Sequence, residues 1–214
     1  PNPLPLAGEG DALVGASPEE QLRCARLWIE KDAAAPSPPR RHDGPRERRL
    51  RIAYLSADFR DHPVAQQIAG VIEGHDRTRF EILGLSYGPD DGGEMREWLK
   101  TAFDRFTDVR GLSDADAATM LADWKADIAV DLTGHTLGGR TGILARRPAP
   151  VQVNFLGYPG SMGAAFYDYI VADKAVLPEE QQRFYSEQAV YLPDSFMPTR
   201  RRAAAAPPAR SQAG

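Results

Sequence analysis

From Arg49 onward the chain alternates short apolar runs with helical stretches, and this alternation restricts it to α/β architectures built on a mostly parallel sheet. Residues 50–56 read as a strand, 64–73 as a helix and 80–87 as a second strand, followed by a turn at Pro89 to Gly93. Residues 94–103 read as a helix and 105–109 as a short strand. Ser113 and Asp116 then mark the capped start of a helix reaching Lys125. Residues 127–132 and 151–155 are further strands around a helical turn at 143–146, and 169–172 and 189–192 are short strand candidates. Apolar residues on both faces of a strand such as 50–56 place it inside such a sheet, whose ligands bind beyond the carboxyl ends of the strands.

The flanks read differently. Residues 1–16 are rich in Gly, Pro and Ala and form an irregular lead-in. Ser17, Pro18 and Glu20 give a capping-box start to a helix over 17–32, with Leu22, Ala25, Leu27, Trp28 and Ile29 as its apolar side. Residues 33–48 combine four prolines with basic residues and read as an extended linker. The folded lobe is expected over 49–197, and disorder over the low-complexity stretch 198–214.

Composition removes several function classes. The chain has 26 basic against 30 acidic residues, net −4, without the basic excess of a nucleic-acid binder. Its single cysteine, Cys24, has no partner for an internal disulfide or a multi-cysteine zinc site, which fits a reducing, cytoplasmic setting. No apolar stretch approaches the ~20 residues of a membrane span, and the N-terminus lacks the regions of a signal peptide. The chain begins on Pro1 rather than Met, so further residues are expected upstream. No pair of helices recurs at the roughly 34-residue period of tetratricopeptide repeats, although the helix at 17–32 fits the last piece of such an array.

Three loops follow three strands: Asp58 to Pro63, Thr133 to Arg140, and Leu156 to Gly163; at the carboxyl ends of neighbouring strands they line one cleft. Asp58 and His62 read in two ways. They are an acid and a titratable base four residues apart across a turn, or Asp58 caps that turn and His62 is an ordinary loop residue. His135, among glycines, either marks a backbone open to close approach by a ligand or is a turn residue bonded to its own loop. Gly157 and Gly160 imply a tight turn that carries Tyr158 and Pro159 to the cleft edge. The loop lacks both the Gly-x-Gly-x-x-Gly fingerprint and the Gly-Lys-Ser/Thr ending of a P-loop. No His and carboxylate cluster has metal-ligand spacing, Asp90 and Asp91 read as a solvated turn, and no Gly-x-Ser-x-Gly elbow occurs. His42 and His75 receive no role.

Six stretches in order, residues 49–63, 131–136, 147–152, 156–160, 168–169 and 185–187, resemble the catalytic region of the O-linked N-acetylglucosaminyltransferase and SPINDLY family. The resemblance implies the Rossmann-like N-terminal lobe of a GT-B glycosyltransferase, preceded by tetratricopeptide repeats that present a protein acceptor. It implies transfer from a nucleotide sugar, UDP-GlcNAc or, in the SPINDLY branch, GDP-fucose, to Ser or Thr hydroxyls, with inversion and no required metal. By the same resemblance His62 is the active-site histidine, Asp58 its neighbouring acid and Pro63 part of the same wall. His135 joins the substrate-binding set, and Leu156, Gly157, Tyr158 and Pro159 form the loop that closes around sugar and acceptor. Val64 stands where some members carry Thr. The nucleotide-holding C-terminal lobe and the repeats are not recognised in the 214 residues, so the expectation is an incomplete enzyme that does not turn over alone. Two other readings remain open on the sequence: a noncatalytic Rossmann-like module that pairs with a partner or a separate second lobe, and a GT-B enzyme or epimerase acting on a small acceptor.

Overall fold

The computed structural model describes residues 16–32, 37–38 and 48–198. The expectations for the lead-in, most of the linker and the tail therefore lie outside the described residues. The elements run α1 (Pro18–Asp32), β1 (Leu50–Ser56), α2 (Pro63–Gly74), β2 (Phe80–Ser86), α3 (Glu94–Ala102), β3 (Arg105–Asp108), α4 (Asp114–Asp123), β4 (Ile128–Asp131), α5 (Thr141–Ala145), β5 (Val151–Phe155), β6 (Tyr169–Ala172), a 3-10 helix (Glu179–Phe184) and β7 (Gln188–Tyr191).

The strands form one sheet in the order β3-β2-β1-β4-β5-β6-β7, and all six pairings are parallel. Residue alternation along β1 explains why helices cover both faces. Ile52 and Tyr54 point into one core with Ile82, Val130, Phe155 and residues of α2 and α3. Ala53 and Leu55 point into the other with Leu83, Leu85, Ala129 and residues of α4 and α5. In β2 the missing side chain at Gly84 makes room for Phe103 and Phe106, which would lie 2.9 Å from a Cβ there.

Winding reverses between β1 and β4, the switch point at which open α/β sheets bind ligands. The register sets Leu55 beside Asp131 and Asp131 beside Asn154, so the carboxyl ends of β1, β4 and β5 lie side by side.

Helix α1 begins with the expected capping box: the Ser17 amide donates to Glu20 Oε2 at 2.8 Å, and the Glu20 amide to Ser17 Oγ at 3.3 Å. Its apolar side is narrower than the sequence reading. Leu22 and Ala25 are buried and Ile29 packs on the core, but Leu27 is 55% exposed. At 100° per residue, position 27 lies across the helix from position 25, away from the sheet.

Candidate active site

The β1 loop begins with a local bond, the Asp58 amide donating to Ser56 Oγ at 2.9 Å. Phe59, fully buried, pins the loop into the core below. His62 has extended backbone and is the N-cap of α2, with Pro63 in the first turn, so the histidine rather than Asp58 is the cap. Its Nδ1 accepts from the Val64 amide at 3.3 Å. In the neutral ring the proton therefore sits on Nε2, which faces Asp58 Oδ1 at 3.7 Å, too far for a hydrogen bond. Arg60 pairs with the same carboxylate oxygen at 3.2 Å. With Nδ1 committed to the backbone, Nε2 is the ring nitrogen left to donate.

An element with no site role in the sequence reading holds this loop from behind. Arg96 of α3 is fully buried, donates to Phe59 O at 2.9 Å and Ser86 Oγ at 2.5 Å, and pairs with Asp108 at 2.8 Å. Asp91, read as part of a solvated turn, accepts from the Asp61 amide at 2.9 Å. The available sign was an arginine three residues before Leu99, on the apolar face of α3.

At the end of β4, Asp131 is buried and shapes the second loop. Its Oδ1 accepts from the Thr133 and Gly134 amides at 2.9 and 3.1 Å, and its Oδ2 from the Tyr167 hydroxyl at 2.5 Å. Burial, reinforced by the Asp131 charge, pushes the Tyr87 and Tyr167 phenols well above their ordinary pKa, so both remain donors toward it. Thr133 Oγ1 accepts from the Ala57 amide at 3.0 Å, joining the first two loops. His135 lies 2.9 Å from Met162 O through Nε2, with its ring edge-on to Trp28 at 6.3 Å and to Tyr158 at 5.4 Å. It thus ties the second loop to the third and to α1 rather than bonding its own loop.

The third loop leaves β5 through Leu156 at φ +72, a left-handed conformation unfavourable for a leucine and held by its surroundings. A Cβ on Gly157 would stand 2.0 Å from Leu132 O, so only glycine lets the second and third loops touch here. Asn154 Nδ2 donates to the Tyr158 and Gly160 carbonyls at 2.9 and 3.1 Å. Burial pushes the Tyr158 phenol up to about 12, so it too stays protonated. Behind the loop, a cavity of about 240 Å³ opens toward α1 and the 3-10 helix, lined by Leu22, Pro159, Val176 and Tyr185 among others.

The structure thus brings the eight sequence-predicted residues into three contiguous loops, with Asp58, His62 and Pro63 on one side and His135 with Leu156, Gly157, Tyr158 and Pro159 on the other. The Ala57 to Thr133 bond joins the two groups. Arg147, also within the recognised stretches, is structural: it sits at φ +49 and binds Asp168 through both of its terminal nitrogens. Among the described residues no group of three or more His, Cys, Asp or Glu side chains is placed to hold a metal ion, and no helix is long and apolar enough to cross a membrane.

Residues 21–203 match the model of glycosyl transferase family 41. The chain is 36% identical over 149 residues to the probable UDP-N-acetylglucosamine–peptide N-acetylglucosaminyltransferase SEC of Arabidopsis thaliana, covering 70% of this chain and 15% of that protein. It is likewise 36% identical over 149 residues to the corresponding transferase of Caenorhabditis elegans, covering 69% and 13%. To the protein SPINDLY of Arabidopsis thaliana it is 32% identical over 154 residues, covering 71% and 17%. The fold superposes on a mutant O-GlcNAc transferase of Thermobaculum terrenum with a TM-score of 0.80 at 34% identity, covering 87% of this chain and 37% of the other. The chain spans about 15% of the length of the curated relatives it matches.

Proposed function

Because this chain belongs to glycosyl transferase family 41, we propose that it forms the acceptor-side wall of a protein O-glycosyltransferase cleft, moving GlcNAc from UDP-GlcNAc to a Ser or Thr hydroxyl with inversion. The observation that carries the reading is the meeting of the loops after β1, β4 and β5 at the switch point, with His62 at its edge. GlcNAc is favoured over fucose because the relatives are named for N-acetylglucosamine transfer.

In-line displacement needs the acceptor oxygen held behind the anomeric carbon, and the three loops offer backbone and side-chain groups for that purpose. His62, with Nδ1 bonded to the Val64 amide, serves by donating from Nε2 to the sugar or the acceptor, with Asp58 Oδ1 3.7 Å away on the same side of the ring. Tyr158 stays neutral and hydrogen-bonds without becoming a base. The reading assigns no metal; the nucleotide sugar is the co-substrate. The nucleotide diphosphate is held by a counterpart lobe, in keeping with the 37% share of the solved relative that this chain covers. A single cysteine, Cys24, fits a cytoplasmic setting.

The experiment is transfer from radiolabelled UDP-GlcNAc to a Ser/Thr peptide by the chain alone and with the C-terminal lobe of a relative added. Transfer is expected only in the second case, and His62→Ala is expected to lower it by about 100-fold or more. Turnover by the chain alone would remove the need for a counterpart lobe, and transfer indifferent to His62→Ala would remove the histidine from the site.

A further inference from the structure

The segment just before β7 reaches back to the third loop at three consecutive residues. Tyr185 donates from its hydroxyl to Pro159 O at 3.1 Å. The Ser186 amide donates to Ser161 Oγ at 3.1 Å. Glu187, only 2% exposed, accepts from the Met162 amide at 2.5 Å on Oε1 and from the Ser161 hydroxyl at 2.8 Å on Oε2. Every bond lands within residues 159–162, directly after the stretch that faces the cleft.

We propose that Glu187 is the positioning residue of the third loop, its carboxylate fixing residues 159–163 and through them the placement of Leu156 to Pro159. The inference rests on the cleft reading above.

Donor and acceptor counting shows why a carboxylate is needed. Ser161 Oγ already accepts from the Gly163 and Ser186 amides, each at 3.1 Å, so its hydroxyl hydrogen must be given to an acceptor, and Glu187 Oε2 at 2.8 Å stands nearer than Ser186 Oγ at 3.2 Å. Met162 presents an N–H, which also needs one. A group with two acceptor atoms answers both at once. A glutamine of the same size sets its NH2 against either the amide or the crowded hydroxyl, whichever way it is turned. Among the described residues no Lys or Arg forms an ion pair with Glu187. A buried carboxylate without a cation is costly for stability alone, and burial raises the pKa of this one against the bonds that stabilise its charge. The charge is thus directed at the loop rather than at a salt bridge. Because Glu187 leads directly into β7, the pairing of β7 with β6 and the shape of the third loop depend on one another.

The near-isosteric Glu187→Gln is the deciding variant. The chain has four methionines, Met95, Met120, Met162 and Met197, so selective [15N]Met labelling gives one resolvable signal for the loop and three internal references. In Glu187→Gln the Met162 amide proton is expected to move upfield while the Met95, Met120 and Met197 signals stay in place, and the Met162 amide is expected to exchange about tenfold faster or more. With the added lobe of a relative, kcat/KM for the acceptor peptide is expected to fall roughly 10-fold to 100-fold with the donor KM little changed. A Met162 signal superimposable on wild type overturns the proposal, as do transfer kinetics unaltered by a displaced loop. Should wild type show no transfer, the cleft reading falls and the signal and exchange arms alone decide the anchoring role. Should Glu187→Gln fail to fold, Ser161→Ala removes the hydroxyl bound to Glu187 Oε2; faster exchange confined to the third loop then supports the proposal, and unchanged exchange there overturns it.

Discussion

The two histidines that bracket α2 differ in what surrounds them. His62 caps the N-terminus in reach of Asp58, whereas His75 closes the C-terminus with Nε2 2.8 Å from the Tyr54 hydroxyl. Burial, and then the Arg77 charge, hold the His75 imidazole below its ordinary pKa of 6.5, so folding favours the neutral ring. As pH falls through 6.5 the unfolded chain takes up this proton first, and the stability present above that pH is lost below it. Thermal unfolding of wild type is therefore expected to drop more steeply than that of His75→Gln as pH falls from neutral toward 5.5; parallel slopes would remove His75 from the account. Arg96 offers a larger effect. Arg96→Met leaves the buried acceptors Phe59 O and Ser86 Oγ without this donor, while Asp108 keeps Arg110, and is expected to cost about 1–3 kcal/mol for each of the two acceptors in urea unfolding. A loss near zero would mean that the β1 loop is held by Phe59 alone.

Helix α1 contacts the candidate site as well as α5 and the 3-10 helix. Gly163, at φ +66, lies so close under it that a Cβ would be 2.6 Å from the Arg26 amide nitrogen, while Trp28 meets His135. Gly163→Ala is expected to cost about 1–2 kcal/mol for the left-handed backbone alone. The clash comes in addition and lifts α1, which hydrogen exchange reads as faster exchange of the α1 amides; unchanged α1 amides would contradict the close seat described. At this scale the sequence was most legible. Apolar runs bounded by Gly, Pro and capping residues gave the strands and most helix starts, because those signals are local in the chain. Leu27 was misjudged because apolar character alone does not say which side of a short helix faces the sheet. Arg96 and Glu187 were not assigned their roles because their partners lie 10 to 37 and 25 to 26 residues away, and no periodicity encodes such pairings.

For the molecule as a whole, the sheet order is what made the site legible. Once three strands were recognised, their following loops had to share one edge. The touching of the second and third loops through His135 and Tyr158 was not implied by that rule and came from packing against α1. Position in the sheet also grades its stability. Residues 52–55 of β1 are buried and flanked by β2 and β4, whereas β7 has one strand neighbour among the described residues and leaves Val190 43% exposed. In native-state exchange the β1 amides are expected to open only with global unfolding, and those of β7 through smaller fluctuations, with opening energies that converge only near full denaturation. Equal protection across the two strands would mean that β7 is covered by something outside the described residues. The edge-on contact of Trp28 with His135 has an optical consequence. An imidazole edge against an indole alters its emission, so with Trp98 and Trp124 replaced by phenylalanine the emission of the remaining tryptophan becomes a gauge of the His135 contact. Its brightness and decay time then report, without any label, whether the second loop is seated against α1.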